Sequence, residues 1–218
     1  MKKSIISIVD YGVGNLNSVA NMIRRAGADV RFAQTSAEVR EAERLVLPGV
    51  GAFDTCRRSF DQVDGLESAI RDAVDRDVPL LGICVGMQML ATSSEEGIRP
   101  GLNIVPGRVR RFDLQSIASI KSLRVPHMAW CPVEPRGRST LFKGELSELN
   151  RFYFVHSYHF ECDEADDCAG IAHHGHEFIA AVERRRVYGV QFHPEKSHRY
   201  GLALFRNFAS LPVGCAYA

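Results

Sequence analysis

With 218 residues, 45% of them hydrophobic and 24% charged, the chain is long enough to bury a substantial core and has an ordinary globular composition. A formal net charge of +1 excludes the one-sided charge expected of a nucleic-acid or polyanion binder. Lys2 and Lys3 precede an apolar run that Ser7 interrupts and Asp10 ends. That run is too short for a signal peptide or a membrane span, so a cytoplasmic protein is expected.

The first ninety residues alternate strand and helix signals. Residues Ile5–Val9 form a β-rich run suited to a buried strand. Asn15 is placed to cap a helix in which Leu16, Val19, Ala20, Ile23 and Ala26 recur at helical spacing. Residues 30–32 read as a second strand, and Ser36 with Glu38 opens a second helix. Residues 45–47 form a third strand, stopped by Pro48-Gly49. A helix spans roughly 66–74, and 78–83 is a fourth, nearly all-apolar strand. This order predicts a mostly parallel central sheet with helices on both faces.

The second half changes character. Residues 104–112, 152–160, 177–182 and 187–192 read as strands joined by turn-rich segments, an antiparallel section laid on the same sheet. A closing helix covers about 200–208. No linker or repeat divides the halves, so 1–218 is expected to be one domain.

Six cysteines, at 56, 84, 131, 162, 168 and 215, form no CxxC pair and are free thiols by default in a reducing compartment. Surroundings single out one of them. Gly82-Ile83-Cys84-Val85-Gly86 ends the fourth strand and precedes a helical run at 87–91. Gly-x-nucleophile-x-Gly at a strand-to-helix junction is the nucleophile elbow, whose small flanking residues permit a sharp, strained turn. The turn would expose Cys84 at a helix N-terminus, where macrodipole and free amides favour a thiolate, and the Val85 amide could face an oxyanion. A buried cysteine at a glycine-flanked strand end would give the same pentapeptide.

His193-Pro194-Glu195 adds a partner. A residue before proline is biased to extended geometry, in which i and i+2 point the same way, so Glu195 can hold the His193 imidazole. A surface loop with an incidental His and Glu is the alternative. Gly49, Val50 and Gly51 after the third strand form a loop able to turn an amide toward a carbonyl oxygen, or a plain strand-ending turn. Gln88 lies one helical turn past Cys84, placed to hold a small substrate or to face solvent. Cys162, Cys168, His173, His174 and His176 match no familiar zinc spacing, and no metal or cofactor is expected. Arg108, Arg110 and Arg111, like Arg184 to Arg186, read as charged strand edges or turns.

These motifs together resemble the class I glutamine amidotransferases, and within them the glutaminase subunit of imidazole glycerol phosphate synthase. The matching segments are DYGVGNL from Asp10, LPGVGAF from Leu47, GICVGMQ from Gly82, SSEEG from Ser93, VPHM from Val125, YFVHSY from Tyr153 and QFHPEKS from Gln191. They run in the family's order over nearly the whole chain.

The resemblance implies a flavodoxin-like α/β fold and a Cys84–His193–Glu195 triad that hydrolyses glutamine. It implies oxyanion donors in the Gly49–Gly51 loop, and glutamine contacts at Gln88, Glu96, His156 and Ser157. It also implies a (β/α)8-barrel synthase partner that takes the ammonia, met near Asn15, Trp130 and Lys196. Without the resemblance, Trp130 reads equally as a core-filling indole. The chain departs from the family's Met-Gly-Trp-Asn at Met128-Ala129-Trp130-Cys131, which leaves the ammonia acceptor open. A relative that aminates surface-polysaccharide sugars and a non-catalytic scaffold subunit are the competing expectations.

Overall fold

The computed structural model describes residues 3–113, 123–137, 139–148 and 150–213, leaving Lys2 and Cys215 outside the described residues. The parallel half begins with β1 (Ile5–Val9), α1 (Leu16–Arg25), β2 (Asp29–Ala33) and α2 (Ser36–Arg40). It continues through β3 (Leu45–Gly49), α3 (Phe53–Asp61), α4 (Leu66–Asp75), β4 (Leu80–Cys84) and the short α5 (Val85–Gln88).

Helix α1 turns Val19, Ala20, Met22 and Ile23 to the core and ends on Arg24 and Arg25, which suit the negative end of its dipole. Asn15 holds the N-cap position, but its side chain makes no capping hydrogen bond. The cap of α2 is Thr35, one residue before Ser36, and it exchanges capping-box bonds with Glu38.

Strand β3 runs through Pro48 and Gly49, past the expected stop. Its register with β1 ends at Ile8 with Val46, whereas that with β4 continues to Gly49 with Cys84. Pro48 therefore sits where the β1 ladder has already ended, and its missing N–H costs that ladder nothing. Helix α3 carries only a thin apolar signal, Phe53, Cys56 and Phe60 among polar residues, and the sequence pattern passes over it. The helix after the elbow is a single turn at Val85–Gln88, earlier than the expected 87–91.

The later strands are β5 (Ser93–Ser94), β6 (Gly107–Arg111), β7 (His127–Cys131), β8 (Glu134–Pro135) and β9 (Phe152–His156). They are followed by β10 (Tyr158–Cys162), β11 (Cys168–His174), β12 (His176–Arg184), β13 (Val187–Val190) and the closing helix α6 (His198–Ala209). The expected strand at 152–160 is two strands broken at Ser157. β9 pairs with β7 in a separate two-stranded ribbon, and β10 joins the main sheet.

The main sheet runs β2-β1-β3-β4-β13-β12-β10-β6-β5, with β11 attached to β12 and β8 attached in turn to β11. Strands β2, β1, β3, β4 and β13 are parallel, and β12, β10 and β6 continue antiparallel. Putting β13 beside β4 gathers the carboxyl ends of β3, β4 and β13, the edge where open α/β sheets bind ligands. Among the described residues, no helix is long and apolar enough to cross a membrane.

Candidate active site

Cys84 closes β4 with φ 55° and ψ −113°, a left-handed backbone that an L residue rarely adopts. Close packing around the bend maintains it. A Cβ added to Gly86 would lie 1.9 Å from the Leu47 carbonyl oxygen, and one on Gly82 would lie 2.7 Å from the Gly86 carbonyl oxygen. The bend therefore requires glycine on both sides, and it directs the Cys84 thiol into a cavity of about 350 Å³. Val50, Gly51, Val85, Glu96, His156, Ser157, His193 and Lys196 share that lining.

His193 reaches the same cavity from the end of β13. Its backbone amide donates to Tyr153 O at 2.9 Å, and its carbonyl accepts from Ser197 Oγ at 2.6 Å. Its own backbone is extended (φ −101°, ψ 95°), but Pro194–Lys196 forms a 3-10 turn. That turn, not a continuous extended segment, brings Glu195 Oε1 to 2.8 Å from His193 Nδ1. Both side chains are buried, 4% and 2% exposed. Burial opposes charging the imidazole, but hydrogen bonds to Cys84 and Glu195 and the charge on each outweigh it and push His193 up to about 10. A basic imidazole that shares a cavity with a thiol and is held on its other side by a carboxylate is equipped to take a proton from sulfur and return it to a leaving group.

The other expected site residues divide. Val50, Gly51 and Val85 face the cavity. Gly49 does not: it packs on the elbow, where an added Cβ would meet Gly86 N at 2.5 Å. Gly51 has φ +91°, open to glycine. Glu96 Oε2 accepts from the Phe53 amide at 3.0 Å. Burial lifts the Glu96 carboxyl above its ordinary range, the Phe53 bond offsets part of this, and Asp54 adds to the rise.

His156 Nδ1 donates to the Tyr158 carbonyl at 2.7 Å, which leaves its Nε2 to accept from His127 Nδ1 at 3.1 Å. Both ring nitrogens are thus occupied, and His156 serves the cavity as a wall. Gln88 is buried outside the lining, donating Nε2 to Gln191 Oε1 at 3.0 Å. Its Oε1 has no partner among the described residues.

Gln191 was not singled out from sequence. It is fully buried, with Nε2 3.8 Å from Cys84 Sγ. The available signal was its position two residues before His193 at a strand end, where alternation places both on one side.

Of the expected interface residues, Asn15 and Lys196 are exposed and Trp130 is half-buried. Trp130 stacks on His198 with centroids 5.3 Å apart and meets Tyr153 edge-on, while Lys196 lies over the Tyr153 ring. The indole therefore belongs to a surface patch and not to the core. The histidines and cysteines at 162–176 do not converge. His173 pairs with Glu177, and His174 Nε2 donates to Arg124 O. Among the described residues, no three His, Cys, Asp or Glu side chains gather as a metal site. Arg108 and Arg110 pair with Glu161 as solvated strand edges do, while Arg184 pairs with the buried Asp167 and Arg185 with Asp77.

Solved structures share this architecture. A structure described as a glutamine amidotransferase superposes with TM-score 0.70 at 18% identity, covering 94% of this chain and 99% of that one. PurLQS from Thermotoga maritima gives 0.70 at 17% identity, covering 95% and 98%. At these identities they speak to the fold alone.

Sequence relatives are nearer. The imidazole glycerol phosphate synthase subunit HisH of Bdellovibrio bacteriovorus is 48% identical over 208 residues, 95% of this chain and 100% of that one. The protein of the same name from Leptospira borgpetersenii is 43% identical over 212 residues, again 95% and 100%. The family model for glutamine amidotransferase class-I matches residues 7–210, and with it the chain belongs to the class-I glutamine amidotransferases.

Proposed function

We propose that residues 1–218 act as one glutaminase domain, the subunit that supplies ammonia to imidazole glycerol phosphate synthase in histidine biosynthesis. The observation that carries the chemistry is a thiol raised on a strained bend against an imidazole that a buried carboxylate holds. Relatives named as this synthase subunit, at 43% and 48% identity over 95% of the chain, support the acceptor. They favour it over sugar amination, and a retained thiol–imidazole–carboxylate set argues against a scaffold role.

In this reading Cys84 Sγ, its proton passed to His193, bonds to the side-chain amide carbon of glutamine. The carbonyl oxygen takes the negative charge, facing amides of Val85 and of the Val50–Gly51 loop. Collapse of the adduct breaks the C–N bond, and His193 returns its proton to the leaving nitrogen as ammonia departs. Water, deprotonated by His193, then cleaves the thioester to glutamate and restores the thiol. Glu195 holds the imidazole throughout. Glu96 and Ser157 receive the polar end of glutamine, and His156 walls the cavity.

Ammonia released into neutral water becomes ammonium and loses the lone pair needed for attack. A (β/α)8-barrel partner docked over Trp130, Lys196 and Asn15 would receive it dry. The test is Cys84→Ala in the complex: glutamine-dependent synthesis is lost, and synthesis from added ammonia continues. An equal fall of both would overturn the reading.

A further inference from the structure

We infer that Gln191 is a further catalytic residue, a neutral amide that donates to the Cys84 sulfur and stabilises it as the attacking thiolate. The inference rests on Cys84 being the glutaminase nucleophile. Topology places the amide there. Strand β13 lies parallel to β4 with Val190 opposite Ile83, and one residue further along each strand are Gln191 and Cys84. The Gln191 backbone is fixed by its N–H on Ala180 O at 2.9 Å, and its side chain is 0% exposed. His193, two residues on, lines the same cavity as Cys84, so one segment brings both side chains to the site of the sulfur.

The orientation of the Gln191 amide follows from a backbone carbonyl. Tyr158 O can only accept, and it lies 3.4 Å from Gln88 Nε2, which sets the Gln88 amide with its NH2 group on that side. The same NH2 group is 3.0 Å from Gln191, which must therefore present its oxygen to Gln88 and its NH2 to Cys84. A reversed Gln191 would set two donors against each other at Gln88 and a carbonyl oxygen against the sulfur. At 3.8 Å the N–H···S contact is weak for a neutral thiol, and it strengthens when the sulfur is charged.

The amide and the imidazole do different work. His193 exchanges a proton with sulfur. Gln191 has none to give at accessible pH, so it lowers the energy of the anion without competing for the proton. Other titratable groups lie around the same thiol. Tyr11 after β1 and Cys56 on α3 are both held uncharged by burial, Tyr11 well above and Cys56 up to about 11. Glu96, His156, Tyr158 and Lys196 line the same cavity, and Glu195 reaches the thiol only through His193.

The experiment follows alkylation of Cys84 by iodoacetamide from pH 5 to 10, read by mass spectrometry on the Cys84 peptide. Gln191→Met, close in size but without a donor, raises the midpoint by about one pH unit and slows alkylation below it about tenfold. Gln88→Leu leaves Gln191 packed but free to turn its amide, and moves the midpoint the same way by less. Circular dichroism and ammonia-dependent synthesis by the complex stay at wild-type levels in both. An unmoved midpoint in folded Gln191→Met, or in folded Gln88→Leu should the first fail to fold, overturns the inference. Failure of the wild-type complex to use glutamine would instead overturn the glutaminase reading, whatever the midpoints do.

Discussion

Replacing Glu195 by Gln removes a charge while keeping the side chain's shape, and so isolates what the carboxylate does for His193. The contact is 2.8 Å between two side chains that are 4% and 2% exposed, so solvent screens it little. Against burial, Cys84 and Glu195 together raise the imidazole to about 10. A hydrogen bond to a charged partner contributes about 1.5–3 kcal/mol, and 1.36 kcal/mol is one pH unit, so the variant should titrate about one to two units lower. The amide can also turn its NH2 toward Nδ1 and favour the wrong tautomer, and kcat/KM for glutamine should fall by about 10²- to 10⁴-fold.

NMR titration of the His193 ring gives the first quantity. Glutamine-dependent turnover by the complex, with added ammonia as control, gives the second. Stability supplies a third. A folded-state value above the unfolded 6.5 contributes stability that is complete below about pH 6.5 and disappears as pH rises through about 10. The melting temperature of the wild type should therefore fall across that window, and that of Glu195→Gln should fall less. A His193 midpoint still near 10 with turnover within threefold of wild type would refute the carboxylate's role.

A buried histidine cluster should impose the opposite dependence at acid pH. Burial first, and His174 second, push His127 down to about 4, and burial also depresses His156, His159 and His174. Their contribution to stability is present above about pH 6.5 and is lost as pH falls toward about 4, so thermal melts should drop steeply there. His174→Phe, which keeps the ring stacked on His127, should flatten that drop; an unchanged slope would exclude the cluster as its cause. Gly86→Ala should cost more than about 3 kcal/mol in urea unfolding, because its methyl group would overlap a backbone oxygen that cannot move aside. Wild-type stability in that variant would show that the bend is looser than described. Trp130→Ala should weaken binding of the synthase partner at least about tenfold by titration calorimetry while leaving the melt of the isolated chain unchanged; unaltered affinity would remove the indole from the interface.

Much of this was legible in the sequence because period and punctuation agree. The glycines at 82 and 86 declared the elbow, and the apolar runs of β1, β3 and β4 declared a parallel sheet. What escaped depended on contacts remote in sequence. The strand at Cys168–His174 falls in what the pattern leaves as a turn-rich connection, yet it is held by pairing along β12. The break at Ser157 leaves no mark in the alternation and is visible only in the pairing, β9 with β7 and β10 with β6. Of the loop after β3, Val50 and Gly51 line the cavity, whereas Gly49 is a spacer against the elbow. Gln191 was hidden because its meaning depends on a sulfur 107 residues away.

The departure at 129–131 can now be placed by the same alternation. On the β7–β9 ribbon, Met128 and Trp130 share a face with Tyr153 and Val155, the half-exposed side that runs from the cavity rim to the stack on His198. Cys131 lies on the other face with His127, Phe152, Phe154 and His156, buried, with its thiol 3.5 Å from the His173 carbonyl. A side chain there meets β11 and reaches neither the thiol of Cys84 nor the surface around Trp130. Cys131 therefore lies on the underside of the ribbon. Ala129, paired with Phe154, is exposed but adds only a methyl group. The face that would meet a synthase keeps its Met, Trp, Tyr and Lys, and on structural grounds the departure gives no reason to assign a different acceptor.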